Sequence, residues 1–148
     1  MSTYRQIYYH IVFSTKDRQK TLIESGHEPL FRYVWGIIKN KQGHLYCINC
    51  VEDHLHILCD LHPKIALADL VKTIKGASWH WIRENAIFPD FVQWQEGYGA
   101  FTHSQAEKAR IMEYIKNQQE HHRRVTFQEE LRNLLTEMGI EYDEKYLW

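Results

Sequence analysis

The alternation and spacing of apolar positions divide the chain into alternating extended and helical segments. Tyr4 to Ser14 is rich in Tyr, Ile, Val and Phe without helical periodicity, which predicts a strand. The run Lys16, Asp17, Arg18, Gln19 and Lys20 is polar and reads as a loop. From about Leu22 to Lys41 the residues Leu30, Tyr33, Val34, Ile37 and Ile38 recur at helical spacing, and Gln42-Gly43 ends that amphipathic helix. His44 to Val51 and His54 to Leu61 read as two short strands joined at Glu52-Asp53, a join so short that the pair must be an antiparallel hairpin. His62-Pro63 closes it. In Ala66 to Glu84, Leu67, Leu70, Val71, Ile74, Ala77 and Trp81 share one helical stripe. Phe91 to Thr102 is aromatic and extended, interrupted by Gly97 and Gly99. Ser104, with Glu107 three residues on, forms a capping box that opens a helix running to about His122. A last helix, Phe127 to Glu137, ends at Gly139 before an aromatic tail from Tyr142 to Trp148.

The order β-α-β-β-α-β, with further helix behind it, predicts a ferredoxin-like (RRM-like) α+β fold built on an antiparallel sheet. A chain of 148 residues fits one domain, residues 1–148, with 126–148 as a C-terminal helical tail. Hydrophobic residues at 44% and charged residues at 25% are ordinary for a soluble globular protein. No apolar run approaches the roughly 18 residues of a membrane span, and residues 1–5 lack a signal-peptide core. A cytoplasmic location and no membrane partner are therefore expected. The net charge of −1 gives no bulk signal for nucleic acid, so any such contact must come from local patches. The candidate phosphate contacts are Lys16, Arg18 and Lys20 after the first strand, Lys72 and Lys75 on the second long helix, and Arg123 and Arg124 after the third. Each of these clusters reads equally well as a solvated charged face.

His54 and His56 project from one strand face about 7 Å apart, a ready chelate for a divalent metal, while Leu55 and Ile57 point into the core. Tyr114 and Gln118, four residues apart on a helix, also share a face. Neither pair is specific alone. Cys47-x-x-Cys50 has a spacing used by zinc sites, but in a strand residues three apart point to opposite faces, and no second Cys or His pair matches it. Buried small hydrophobes are the better reading of those thiols. His121 and His122 lie about two helical turns beyond Tyr114, too far to be assigned as its base.

Taken together, the histidine pair on an interior hairpin strand and the later Tyr-x-x-x-Gln helix resemble the single-tyrosine HUH transposases of the insertion-sequence 200/605 group. The resemblance extends over nearly the whole chain. It includes Tyr8-Tyr9-His10-Ile11-Val12-Phe13-Ser14-Thr15-Lys16, Asp53-His54-Leu55-His56-Ile57-Leu58 and Leu70-Val71-Lys72-Thr73-Ile74-Lys75-Gly76. It continues in Trp94-Gln95-Glu96-Gly97-Tyr98-Gly99-Ala100-Phe101 and Tyr114-Ile115-Lys116-Asn117-Gln118. It implies that His54, His56 and Gln118 bind Mg²⁺ or Mn²⁺, and that Tyr114, on the helix added behind the fourth strand, is the catalytic nucleophile. It further implies cleavage and rejoining of single-stranded DNA through a 5′-phosphotyrosine, hairpin ends as the DNA partner, and a homodimer that needs no nucleotide cofactor. In the family each active site combines one subunit's histidines with the other's tyrosine helix; the sequence leaves open whether Tyr114 acts in cis or in trans.

Three rival readings use the same residues differently. A non-catalytic nucleic-acid-binding module would bind through the open sheet face and make no use of His54, His56, Tyr114 and Gln118. A domesticated relative of the transposases would keep the chemistry and process chromosomal repeat hairpins. A zinc hydrolase would need a carboxylate base beside the metal, with Glu52 or Asp53 as candidates.

Overall fold

A computed structural model describes residues 2–148. Four strands, β1 (Tyr8–Ser14), β2 (Leu45–Cys50), β3 (His54–Cys59) and β4 (Gly99–His103), form one antiparallel sheet in the order β2-β3-β1-β4. With α1 (His27–Asn40) after β1 and α2 (Leu67–Glu84) after β3, this is the expected ferredoxin-like arrangement. Both central strands are covered on both faces, and every residue of β3 is buried.

One face carries Ile11, Phe13, Leu55, Ile57 and Cys59, against which α1 places Leu30, Val34 and Ile38, and α2 places Leu70, Val71, Ile74 and Ile82. The other face is covered by α3 (Lys108–Lys116) and α5 (Phe127–Glu137), with the short α4 (Gln118–His121) between them. Ile111 and Ile115 of α3 pack on Tyr8, Cys47 and Leu58. Phe127, Leu131 and Leu134 of α5 pack on Val12 and Phe101. Burial of each such side chain contributes about 1.5–3 kcal/mol. His10, His54 and His56 lie fully buried under these helices. No helix among the described residues is long and apolar enough to cross a membrane.

Several boundaries differ from the sequence expectation for identifiable reasons. The first helix begins at His27, not near Leu22, because Pro29 has no N–H to donate and is tolerated only in a first turn. Residues 24–26 form a 3₁₀ turn, and Gly26 packs so tightly that a Cβ there would meet Phe88 Cε1 at 2.4 Å. β1 starts at Tyr8 and the fourth strand is confined to Gly99–His103. Residues 91–98 are irregular, held by an isolated bridge from Trp94 to Thr15 and by the Trp94 indole donating to Ser78 Oγ at 2.9 Å.

The capping box at Ser104 and Glu107 is present, but it opens a 3₁₀ turn that leads into α3. That helix is not continuous to His122. It breaks at Asn117, where φ −94° and ψ 18° leave the helical region. The side chain of Asn49 on β2 explains the break: its Nδ2 donates to the carbonyls of Ile115 at 2.8 Å and Lys116 at 3.2 Å, capping the end of α3. The last helix runs Phe127–Glu137 as expected, with Thr126 Oγ1 accepting from the Glu129 N–H at 3.2 Å.

Candidate active site

β3 presents His54 and His56 to the space between α3 and α5, both fully buried. Tyr114 near the end of α3 and Gln118 at the start of α4 reach the same space from above. The break at Asn117 does not separate them. Gln118 Oε1 lies 3.1 Å from His54 Nε2, and all four residues singled out in the sequence meet directly or through one group. All four come from this one chain.

The joining group is one that sequence reasoning missed, Glu130 of α5, only 1% exposed. Its Oε1 lies 3.0 Å from His56 Nε2, 3.1 Å from His54 Nε2 and 3.1 Å from His122 Nε2. Its Oε2 accepts hydrogen bonds from the Tyr114 hydroxyl and, at 2.9 Å, from Gln118 Nε2. His121 Nε2 stands 3.3 Å from the same oxygen. The kink at Asn117 also overturns the inference that His121 is remote, since its ring centroid is 5.5 Å from that of Tyr114. A signal for Glu130 was present in the sequence. It sits at the second position of the stripe Phe127, Glu130, Leu131, Leu134, where the periodicity asks for an apolar residue.

The outer nitrogens of the histidines are held as in metal centres. His54 Nδ1 donates to Asp53 Oδ1 at 2.7 Å, and His122 Nδ1 donates to the carbonyl of Val125 at 2.7 Å. His56 Nδ1 pairs with His10 Nε2 at 2.8 Å, and His10 Nδ1 in turn lies 3.3 Å from His103 Nε2. Phe127 stacks on the His54 ring at 4.2 Å between centroids. Asp53 therefore orients His54 and is not free to act as a hydrolytic base, while the side chain of Glu52 is exposed.

Electrostatics follow from this packing. Burial disfavours charge on His54, but the hydrogen bonds to Asp53 and Glu130 outweigh it and push its pKa up to about 9. Burial lowers His56, and lowers His10 well below the ordinary value, so those rings stay neutral. Burial alone would raise Glu130, yet the surrounding imidazoles, His56 foremost, hold its carboxyl far below the usual range. Burial and the adjacent Glu130 carboxylate raise the Tyr114 phenol, so with the cluster in this state the hydroxyl keeps its proton. His54, His56, His122 and Glu130 offer four ligand atoms that all lie within 4.8 Å of one another, a set that can hold a metal ion.

Comparisons with known proteins give the family and the fold. The model of the family described as "Transposase IS200 like" matches residues 3–118. The chain belongs to that family. Among IS200-like relatives, the ISDra2 transposase TnpA of Deinococcus radiodurans is 27% identical over 120 residues, 76% of this chain and 84% of that one. The transposase for insertion sequence element IS200 of Salmonella typhimurium is 26% identical over 117 residues, 76% of each chain. A crystal structure of a D. radiodurans protein described as a transposase superposes with a TM-score of 0.62 at 26% identity, covering 80% of this chain and 95% of that one. The structure of a REP-associated tyrosine transposase bound to a REP hairpin has the same fold, with a TM-score of 0.60 at 13% identity over 82% of this chain and 74% of that one. The family match stops at Gln118, so His121, His122 and Glu130 lie beyond it.

The basic candidates fare unequally. Lys16 and Lys20 are exposed on a loop that is tied to the β2–β3 turn by the Thr15 N–H donating to the Asp53 carbonyl at 2.8 Å, and Arg18 is half-buried there. Arg123 is exposed but paired with Glu120 at 3.2 Å. Arg124 is exposed and lines an open cleft of about 680 Å³ with Tyr114, Asn117, His121 and Arg110, the last of which sequence reasoning missed. Lys72 is exposed on α2, across the sheet from the histidines. Lys75 is half-buried: its ammonium donates to the carbonyls of Gln95, at 2.7 Å, and Gly97, and burial pulls its pKa down to about 8. It holds the 95–97 loop.

Cys47 and Cys50 belong to clusters on opposite sheet faces, as the strand spacing predicts, and cannot share an ion. The sheet face that an RRM-like binder would use is covered by α3 and α5.

Proposed function

We propose that this transposase cleaves and rejoins single-stranded DNA with Tyr114 as nucleophile, at hairpin ends, with Mg²⁺ or Mn²⁺ held by His54, His56 and Gln118. The observation that carries the reading is the Tyr114 hydroxyl, bonded through one carboxylate to both histidines and the glutamine. The donor set fits a divalent cation. Two imidazole nitrogens and an amide oxygen converge in a buried space, with their outer atoms tied back by Asp53, His10 and Glu130.

A cation there would polarise the scissile phosphate and stabilise the charge that builds up on it. Tyr114 Oη then forms a bond to phosphorus while the bond to the 3′ oxygen breaks, leaving a 5′-phosphotyrosine and a free 3′-OH. The phenolic proton faces Glu130 Oε2, the acceptor already in place. A phenol, with a reference pKa of about 10, leaves more readily than an aliphatic alcohol, so another 3′-OH can displace Tyr114 and join strands. Arg124 on the cleft, with Arg110, itself paired with Glu107 at 3.0 Å, and Lys16, Arg18 and Lys20 by the β2–β3 turn, would meet DNA phosphates. Since one chain supplies the whole set, a homodimer would bring together two complete sites with Tyr114 acting in cis.

The test is a labelled single-stranded hairpin DNA incubated with the protein and Mg²⁺ or Mn²⁺. A covalent protein–DNA adduct is expected, absent in Tyr114→Phe and with a chelator. An adduct that persists in Tyr114→Phe refutes the assignment of the nucleophile.

A further inference from the structure

Within the buried cluster, more acceptor atoms converge than hydrogen atoms are available to satisfy them. The Val125 carbonyl can only accept, so His122 Nδ1 must carry the proton, and in the neutral ring Nε2 is left with a lone pair. That lone pair faces Glu130 Oε1 at 3.1 Å, and Nε2 has no hydrogen-bond partner. The Asp53 carboxylate takes the proton on His54 Nδ1 by the same logic, and His54 Nε2 is aimed at Glu130 Oε1 and Gln118 Oε1, both acceptors, at 3.1 Å each, so a single hydrogen on it could serve only one of them. Gln118 cannot turn its amide to help, because its Nε2 donates to Glu130 Oε2. Nitrogens and oxygens that converge on one buried space with too few hydrogens between them are unfavourable unless a cation lies among them.

We propose that Glu130 and His122 complete the metal site, so that the ion is held by His54, His56, His122, Gln118 and the Glu130 carboxylate. This rests on the metal-dependent reading above and adds to it two ligands and a class of metal. The spacing supports it. Bonds of about 2.1 Å meeting at right angles set neighbouring donors roughly 3 Å apart, and Glu130 Oε1 stands 3.0 to 3.1 Å from three imidazole nitrogens. The two carboxylate oxygens divide the work: Oε1 faces the nitrogens while Oε2 holds the Tyr114 hydroxyl, so one side chain ties the nucleophile to the ion.

Three imidazoles with one carboxylate and one amide oxygen make a nitrogen-rich set. It favours first-row transition ions such as Mn²⁺, Co²⁺ or Zn²⁺ over Mg²⁺, which prefers oxygen ligands and keeps its waters. The imidazoles and the amide are neutral, so the carboxylate leaves a bound divalent ion with one net positive charge toward the DNA phosphate.

The test is direct Mn²⁺ binding to the full chain, read from loss of the free-ion EPR signal and by calorimetry, without DNA. One Mn²⁺ per chain is expected, retained against about a hundredfold excess of Mg²⁺. Glu130→Gln and His122→Ala should each weaken binding by at least the roughly 10- to 100-fold that even loss of an outer-shell partner causes. Their circular dichroism should match that of the parent; if Glu130→Gln fails to fold, Glu130→Asp, which shortens the reach of the same charge, takes its place. Unchanged Mn²⁺ affinity in Glu130→Gln overturns the ligand assignment. Tighter binding in that variant overturns it also, since Glu130 would then be competing with the ion. Displacement by equimolar Mg²⁺ overturns the proposed metal class. If His54→Ala binds Mn²⁺ as well as the parent does, or the parent binds none, the underlying metal reading itself fails.

Discussion

Asn49 fastens the end of the tyrosine helix to the sheet, and replacing it measures how firmly Tyr114 is placed. Its Nδ2 donates to the Ile115 carbonyl at 2.8 Å and to Gln119 Oε1 at 2.9 Å, and its Oδ1 accepts from Gln119 Nε2 at 2.7 Å. Bonds of this kind contribute about 1 kcal/mol each, and a buried carbonyl left without a donor costs about 1–3 kcal/mol. Ile115 is fully buried, so Asn49→Ala should lower unfolding stability by about 2–4 kcal/mol, the wide span reflecting how well water can reach the vacated space. Urea unfolding should show a lower midpoint with an unchanged slope. Asn49→Asp is the sharper comparison. It keeps the shape and the Oδ1 that accepts from the Cys50 N–H at 2.9 Å, but turns an acceptor-only carboxylate toward the negative end of α3. It should be destabilised at least as much as the alanine variant. In both variants the yield of DNA adduct should fall more than Mn²⁺ affinity does, because the tyrosine is displaced while the strand histidines stay in place. A loss under about 0.5 kcal/mol, the range of an ordinary surface substitution, refutes the view that Asn49 anchors this helix.

Two further predictions concern surfaces and thiols. Arg124→Ala should weaken single-stranded DNA binding and reduce the salt dependence of log K by about 0.7, whereas Lys75→Met should lower the melting temperature and leave the salt dependence unchanged; equal slopes for Arg124→Ala and the parent would remove Arg124 from the DNA surface. Cys47, Cys50 and Cys59 are free and buried, with burial raising all three thiols and pushing Cys59 up to about 12. The folded protein should thus resist a thiol reagent at pH 8 and release three equivalents on denaturation, and rapid reaction of the native protein would contradict the packing.

What the sequence made legible was set by local pattern. The hairpin at Glu52-Asp53 follows from a two-residue join, the last helix from its apolar stripe and Thr126 cap, and the alternation across β3 puts both histidines on one face. The break at Asn117 was not legible, because its cause is a side chain 68 positions earlier on β2. Glu130 was passed over for a related reason. On its own helix it is a charged residue in an amphipathic pattern, and only the packing of α5 on β1 and β4 brings it to His56, 74 residues away. His122 was judged by helical distance from Tyr114, a ruler that ceases to apply where the helix turns.

The carboxylate beneath α5 also bears on how such a gene decays. Glu130 is buried among imidazoles that offset its charge, so His54 or His56 changed to an apolar residue would leave that charge with fewer partners in the core. The last helix, which packs through Phe127, Leu131 and Leu134, would then be opposed by its own glutamate. A copy that loses its histidines should therefore loosen its C-terminal third as well as its chemistry. Such copies would be removed by proteolysis and would not accumulate as inert proteins that still occupy DNA.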